Sequence, residues 1–294
     1  MPVQARAAAH GAANWAARYA TVRNVGRIFG RSAMEYATEA LWRRRRSKDF
    51  AMAVADRFSP RGATVVDVGA SWGLFTYHLA RRVGPAGRVY SFEPHPANEP
   101  MLRRLADARR HVHFAAAAVS YDPGPAELLV PRQRSRLVTA QASLAHGFAA
   151  QGVDVERFEV PTVRLDDALG RDAVVDFVKI DVEGHESSVL HSGSSILHRS
   201  RPPILIEIEQ RHLAAPIDSV FGQLEELGYH LFYISEHGLG PLVDFDVVRD
   251  QTSLAAPDEF HPFAMPPNYI HDFCAVRTPD LLDGLSMDCR GDRR

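Results

Sequence analysis

Over the first 60 positions apolar residues recur at helical spacing, through Trp15, Tyr19 and Val22 and again through Met34, Leu41 and Phe50, on an alanine-rich background. This pattern predicts an N-terminal helical extension over residues 1–60. From Arg61 the rhythm changes to short β-branched runs separated by helical stretches. Residues 64–68, 88–93 and 111–115 read as strands, with helices over 74–83 and 97–108 between them. Residues 126–131 and 158–163 read as two short strands of an inserted hairpin or flap. The alternation resumes with a strand over 174–181, a helix over 186–197 and a strand over 203–208. A helix over 219–227 follows, closed by Gly228 at a C-cap position. Next comes a strand over 229–234. Residues 235–268, rich in Pro, Asp and Gly, read as a long loop, and 269–276 as a last strand. Residues 278–294 read as a polar, frayed tail.

Strand–helix alternation of this kind implies a mostly parallel sheet with right-handed crossovers, hence an α/β Rossmann-like domain over 61–277. Apolar residues make up 46% of the chain and charged residues 24%, enough for a full core. The formal net charge of −2 lacks the basic excess of a nucleic-acid binder. Arg43 to Arg46 form a basic run that reads as a solvated helix face. The two cysteines, Cys274 and Cys289, make neither a disulfide framework nor a zinc site. With no apolar run long enough for a membrane span and no secretory core near the N-terminus, the expected location is the cytoplasm.

The chemistry concentrates in Asp67-Val68-Gly69-Ala70-Ser71-Trp72-Gly73, between the first strand and its helix. Gly69 can take backbone angles closed to other residues, and without a Cβ it lets a ligand lie against the main chain. Gly73 would let the helix start pack close to the strand. A helix N-terminus there favours an anion such as a carboxylate. The glycines follow Gly-x-x-x-Gly, not the Gly-x-Gly-x-x-Gly tuned to a pyrophosphate. Asp67 would repel a pyrophosphate, but could accept a hydrogen bond from an ammonium, directly or through water. Glu93 ends the second strand, 24 residues after Gly69. A carboxylate there can accept both hydroxyls of an unphosphorylated ribose. A carboxylate, an ammonium and an intact ribose together describe S-adenosylmethionine. Ala116-Ala117-Ala118-Val119-Ser120 follows the third strand, where small side chains would leave room for an adenine ring.

Three blocks carry a resemblance to a known family. They are Val66-Asp67-Val68-Gly69-Ala70-Ser71-Trp72-Gly73, Tyr90-Ser91-Phe92-Glu93-Pro94-His95-Pro96 and Val178-Lys179-Ile180-Asp181-Val182-Glu183-Gly184-His185-Glu186. With Leu205-Ile206-Glu207-Ile208 they resemble the FkbM methyltransferases over roughly residues 62–235. The third block is the most specific. The resemblance implies a class I methyltransferase fold, a seven-stranded sheet with a reversed last strand. It implies S-adenosylmethionine as donor and mostly O-methylation of sugars, glycolipids, polysaccharides or polyketide-type metabolites. It also implies cofactor contacts from Asp67, Gly69, Ala70, Ser71, Gly73, Glu93, Pro94 and Ala118. Ser71 stands where the family often has Asn, and can still donate a hydrogen bond.

Asp181 falls at the C-terminal end of its strand, where open α/β sheets bind ligands. Glu183, His185 and Glu186 follow it, and Glu207 and Glu209 end the neighbouring strand. Asp181 and His185 are the expected catalytic pair. An imidazole near neutral pKa suits removal of a hydroxyl proton, and Asp181 could bind the acceptor or orient the histidine. Glu183 and Glu186 could equally serve the helix dipole. Asp181, Glu183, Glu207 and Glu209 offer oxygens of the kind magnesium takes, although no metal is expected. Tyr36, Trp42 and His146 could line an acceptor pocket. Two rival functions remain: a nicotinamide-dependent oxidoreductase, disfavoured by the glycine spacing and Asp67, and a non-catalytic S-adenosylmethionine-binding module. The expected partner is a small-molecule or glycan acceptor.

Overall fold

The computed structural model describes residues 50–133, 136–137, 142–144, 154–254 and 268–285. Helix α1 (Phe50–Phe58) leads into β1 (Thr64–Val68), α2 (Leu74–Val83), β2 (Arg88–Phe92), α3 (Glu99–Ala108) and β3 (Val112–Ala115). Then come β4 (Ala118–Val119), β5 (Gly124–Gln133), β6 (Arg136–Leu137) and β7 (Val155–Val163). Helix α4 (Leu165–Leu169) precedes β8 (Phe177–Ile180), α5 (Glu186–Ser192), α6 (Ser194–Ser200) and β9 (Ile204–Glu207). Helix α7 (Asp218–Glu226), β10 (His230–Ser235), β11 (Gly238–Pro241) and β12 (Asp272–Val276) complete the order.

The main sheet runs β11-β10-β12-β9-β8-β1-β2-β3. Strands β3, β2, β1, β8 and β9 are parallel. Strand β12 inserts antiparallel between β9 and β10. The expected sheet with a reversed last strand is therefore present. Among the described residues it has eight strands rather than the expected seven, because β11 folds back on β10 as an antiparallel edge. Gly238-Leu239-Gly240-Pro241 reads as loop, yet an edge strand tolerates proline because its outer N–H row has no partner to lose. The expected long loop thus starts with a strand and continues through a 3-10 turn (Leu242–Asp244) and a π turn (Val248–Thr252). The helix expected over 186–197 is two helices, interrupted at Gly193, the residue type least suited to a helix interior after proline.

Both faces of the sheet are covered, which is why its strands are mostly apolar, with Asp67, Ser91 and Lys179 as buried exceptions. Val66, Val68, Val178, Ile180, Ile204 and Ile206 pack with Val189, Leu190, Leu197, Val220 and Leu224 of α5 to α7. Val65, Val89, Phe177, Leu205, Cys274 and Val276 pack on the other side with Val54 and Ala55 of α1 and Leu79, Ala80 and Val83 of α2. Each of the Val, Leu, Ile and Phe side chains contributes about 1.5–3 kcal/mol on burial. Helix α1 comes from the stretch assigned to the extension, so the core starts before residue 60. Tyr36, Trp42, Arg43 to Arg46, His146 and Cys289 lie outside the described residues. Cys274 is buried, and burial pushes its thiol up to about 12, so it stays protonated.

The inserted flap is a sheet of its own, ordered β4-β7-β5-β6. Strands β5 and β7 pair antiparallel from Gly124–Thr162 to Pro131–Val155, well beyond the short strands expected. Leu128, Val130 and Val160 give it a small core.

Candidate active site

Going outward from β1, the strand order runs to β2 and β3 on one side and to β8 and β9 on the other. The loops at the C-terminal ends of β1 and β8 diverge there and leave a crevice, the usual ligand site of open α/β sheets. That crevice is a cleft with about 540 Å³ of space between its walls, the open mouth included. Gly69, Ser71, Glu93, Pro94, Ala118, Asp181, Glu183 and His185 line it, and Leu128, Ala142 and Leu144 of the flap face them.

The bend after β1 is built by close backbone approach. Gly69 sits at φ 76°, and the N–H groups of Gly69 and Ala70 both donate to the Phe92 carbonyl at 3.0 Å. A Cβ on Gly69 would lie 1.7 Å from the carbonyl oxygen of Asp181. The space that its missing side chain leaves is thus taken by the main chain just after β8, not by a ligand as expected from sequence. Gly73 is corrected likewise: at φ 93° its Cβ position lies 2.9 Å from Leu102 of α3, so it admits a neighbouring helix rather than the strand. Ser71, at φ 50°, turns its N–H onto Glu93 Oε2 at 2.7 Å. Its Oγ is buried and has no hydrogen-bond partner among the described residues.

Glu93 is 5% exposed and also accepts from the His95 N–H at 2.8 Å and from Asn98 Nδ2 at 3.3 Å. Burial pushes its carboxyl up to about 7 against these hydrogen bonds. The His95 ring packs 5.1 Å from that of Phe158, joining the Glu93 loop to the flap. His95 stood in one of the resembling blocks without a role, and Asn98 and the flap residues were given no site role from sequence, since no periodicity links them to the glycine turn.

Asp67 and Ala70 do not line this cleft. Asp67 is fully buried and accepts from Thr76 Oγ1 at 2.6 Å. Its Oδ1 lies 3.7 Å from Lys179 Nζ. Burial raises its pKa, although Lys179 counters this. It holds the loop from behind and is not among the residues that line the cleft. Lys179 donates to the Gly69 carbonyl and to Asp181 Oδ2, each at 3.0 Å. Burial favours its neutral form, but Asp181 and Asp67 outweigh that and hold the ammonium charged.

Beyond Asp181 lies an acidic rim. Asp181, Glu183 and Glu207 each bring one oxygen within 4.8 Å of the others, as do the ligand atoms of Glu183, Glu209 and His212. Either set could hold a divalent ion. Burial, then Glu207 and Asp181, raise Glu183 well above the carboxylate range. Burial and Asp181 push Glu207 up to about 7, with His271 at 3.3 Å opposing them. Glu209 is held low despite burial by Arg211, 2.8 Å away, and by the two histidines. Glu186 is 1% exposed and accepts from the Gly184 N–H, and burial pushes it up to about 8. His185 shares a 3.1 Å hydrogen bond with Ser120 Oγ. Burial pushes its imidazole down to about 4, below the near-neutral value expected from sequence, so it is neutral at physiological pH and a weaker base than expected.

A cleft at the switch point, a glycine bend and an acid on the adjoining strand now stand together. The model of the FkbM methyltransferase domain matches residues 67–231, more than half of the chain. The chain belongs to the FkbM methyltransferase family. The matched region runs from Asp67 at the glycine bend to Leu231 in β10, so it spans every residue that lines the cleft. Among solved structures, the FkbM methyltransferase of Methylobacillus flagellatus shares 17% identity over 73% of this chain, at a TM-score of 0.43. The chain spans 43% of that protein's length. An S-adenosylmethionine-dependent O-methyltransferase of Thermotoga maritima shares 12% over 79% of this chain and 65% of its own, at 0.39. Aeropyrum pernix fibrillarin, solved with natively bound S-adenosylmethionine, shares 14% over 74% of this chain and 68% of its own, at 0.37. No curated protein matches the chain. Among the described residues no helix is long and apolar enough to cross a membrane.

Proposed function

We propose that this FkbM-family chain transfers a methyl group from S-adenosylmethionine to a hydroxyl of a small molecule or glycan, such as a sugar, glycolipid or polyketide-like metabolite. One observation carries the reading: the Ser71 N–H is fastened to Glu93 Oε2 at 2.7 Å, so the bend and the strand-end acid share one cleft with Asp181. The donor fits the residues present. The buried Ser71 Oγ, with no hydrogen-bond partner among the described residues, has capacity left for it. Glu93 retains an acceptor for ribose hydroxyls, and Ala118 and Pro94 leave a small-walled slot for the base. Gly69, Ser71, Glu93, Pro94 and Ala118 contact the donor, while Asp67, Ala70 and Gly73 shape the loop behind it.

S-adenosylmethionine supplies an electrophilic methyl on a sulfonium. The chain supplies alignment, worth up to about 7–11 kcal/mol. Asp181, on the cleft wall beside the Gly69 bend, receives the acceptor hydroxyl. His185, neutral and within the same cleft, takes its proton, for which a positioned base contributes about 10²–10⁴-fold. The flap excludes water from the opposite side. The Rossmann-like domain is placed at 61–277, with α1 of the preceding segment packed into its core and 278–294 as a flanking segment.

Titration of the purified chain with S-adenosylmethionine and with NADH, followed by transfer of labelled methyl to sugar-bearing extracts, tests the proposal. Methyl-donor binding and label transfer are expected. NADH binding alone would favour the oxidoreductase, and donor binding without transfer to any acceptor would favour a non-catalytic module.

A further inference from the structure

Phe177, Val178, Lys179 and Ile180 make up β8, a central strand of the sheet, and all four are buried. A lysine in such a place costs several kcal/mol unless it is paired, and apolar replacement of a buried ion pair is often neutral or stabilising. Stability alone therefore gives no reason for Lys179. Its surroundings give another. Nζ is 3.0 Å from the Gly69 carbonyl and 3.0 Å from Asp181 Oδ2, with Asp67 Oδ1 at 3.7 Å. The Phe75 ring lies 5.2 Å away on the side of α2. One ammonium thus ties together the bend after β1, the carboxylate after β8 and the acid behind the bend.

Building on the proposed donor site, we propose that Lys179 is a positioning residue: it locks the Gly69 bend by its carbonyl and aims the Asp181 carboxylate at the cleft. An ammonium suits this task because it offers three donors and no acceptor, so every hydrogen-bond partner it takes must be an acceptor. The front of the bend is free for a ligand because its back is held by Lys179 and by the Asp181 main chain. Asp181 in turn has one oxygen bound to Lys179, which leaves the other for the cleft.

The test uses the full chain and S-adenosylhomocysteine as probe, with affinity read by calorimetry well below the melting temperature. Lys179→Met keeps the length and removes the charge, and is expected to weaken binding at least tenfold. Lys179→Ala lacks the atoms from Cγ to Nζ, which n-propylammonium can replace. That amine, at tens of millimolar, is expected to restore most of the affinity, while n-propanol of the same size is not. Should Lys179→Met fail to fold because Asp67 is stranded, Lys179→Met/Asp67→Asn removes both charges. It is then expected to bind at least tenfold more weakly than Asp67→Asn alone. Wild-type affinity in Lys179→Met, equal rescue by propanol, or equal affinity of the double variant and Asp67→Asn would each overturn the proposal. Failure of the wild type itself to bind the probe would overturn the donor site, and this proposal with it.

Discussion

Gly69→Ala is the sharpest probe of the site, because one methyl group meets a backbone that cannot yield. The new Cβ would stand 1.7 Å from the Asp181 carbonyl oxygen, against an ordinary contact of about 3.5 Å. The two main chains must separate by roughly that difference. Such a separation breaks the Asp181 N–H to Val68 carbonyl bond of 3.0 Å or the Lys179 bond to the Gly69 carbonyl. A buried group left unpaired costs about 1–3 kcal/mol. Placing alanine at φ 76° adds roughly 1–2 kcal/mol. Together these make about 2–5 kcal/mol, a large share of the usual 5–15 kcal/mol. For a domain of this size the melting temperature should fall by about 4–20 °C. Calorimetric melting of the full chain reads this, and S-adenosylhomocysteine titration should show binding lost. Gly222→Ala is the control: it lies in α7 with nothing within 4 Å of its Cβ position, and gains up to about 1 kcal/mol of helix propensity. If Gly69→Ala melts within 2 °C of wild type and still binds, the argument from backbone approach is wrong.

Glu186→Gln tests the buried acid. Its folded pKa of about 8 lies above the ordinary 4.5, so the native state holds a proton that the unfolded chain gives up between those values. Stability then falls as pH rises, by about 1.4 kcal/mol per pH unit across that window. Glutamine removes this fall. Its melting temperature should match wild type at pH 4.5 and exceed it at pH 8, and parallel curves would show that burial leaves the carboxyl pKa unshifted. Asp181→Ala should leave donor affinity within a few-fold and cut methyl transfer about 10²-fold or more, measured by label transfer; unchanged turnover removes it from the mechanism. With its imidazole pushed down to about 4, His185→Gln should slow transfer without changing the shape of the pH–rate profile above pH 6. Disappearance of a limb centred near 6.5 would contradict that. Chelation with EDTA should leave turnover intact, and a loss restored by magnesium would give Asp181, Glu183 and Glu207 to a metal.

What the amino-acid order settled by itself is the alternation of elements and the ends on which chemistry falls. Mostly apolar runs such as Thr64–Val68 and Phe177–Ile180 announce buried strands because both faces of the sheet are covered, and that pattern survives in one dimension. Gly69, Glu93 and Asp181 were legible because each ends a strand, and parallel strands bring such ends to one edge. Strand β11 was hidden by its Gly and Pro, whose tolerance at an edge depends on having no outer neighbour. Which way a side chain faces was decided only in three dimensions. Asp67 points inward and Lys179 meets it there, since β8 lies beside β1 across more than a hundred intervening residues. The main chain just after β8 fills the space beside Gly69. Periodicity records how a residue relates to its own strand, while the partner across the sheet is chosen by topology.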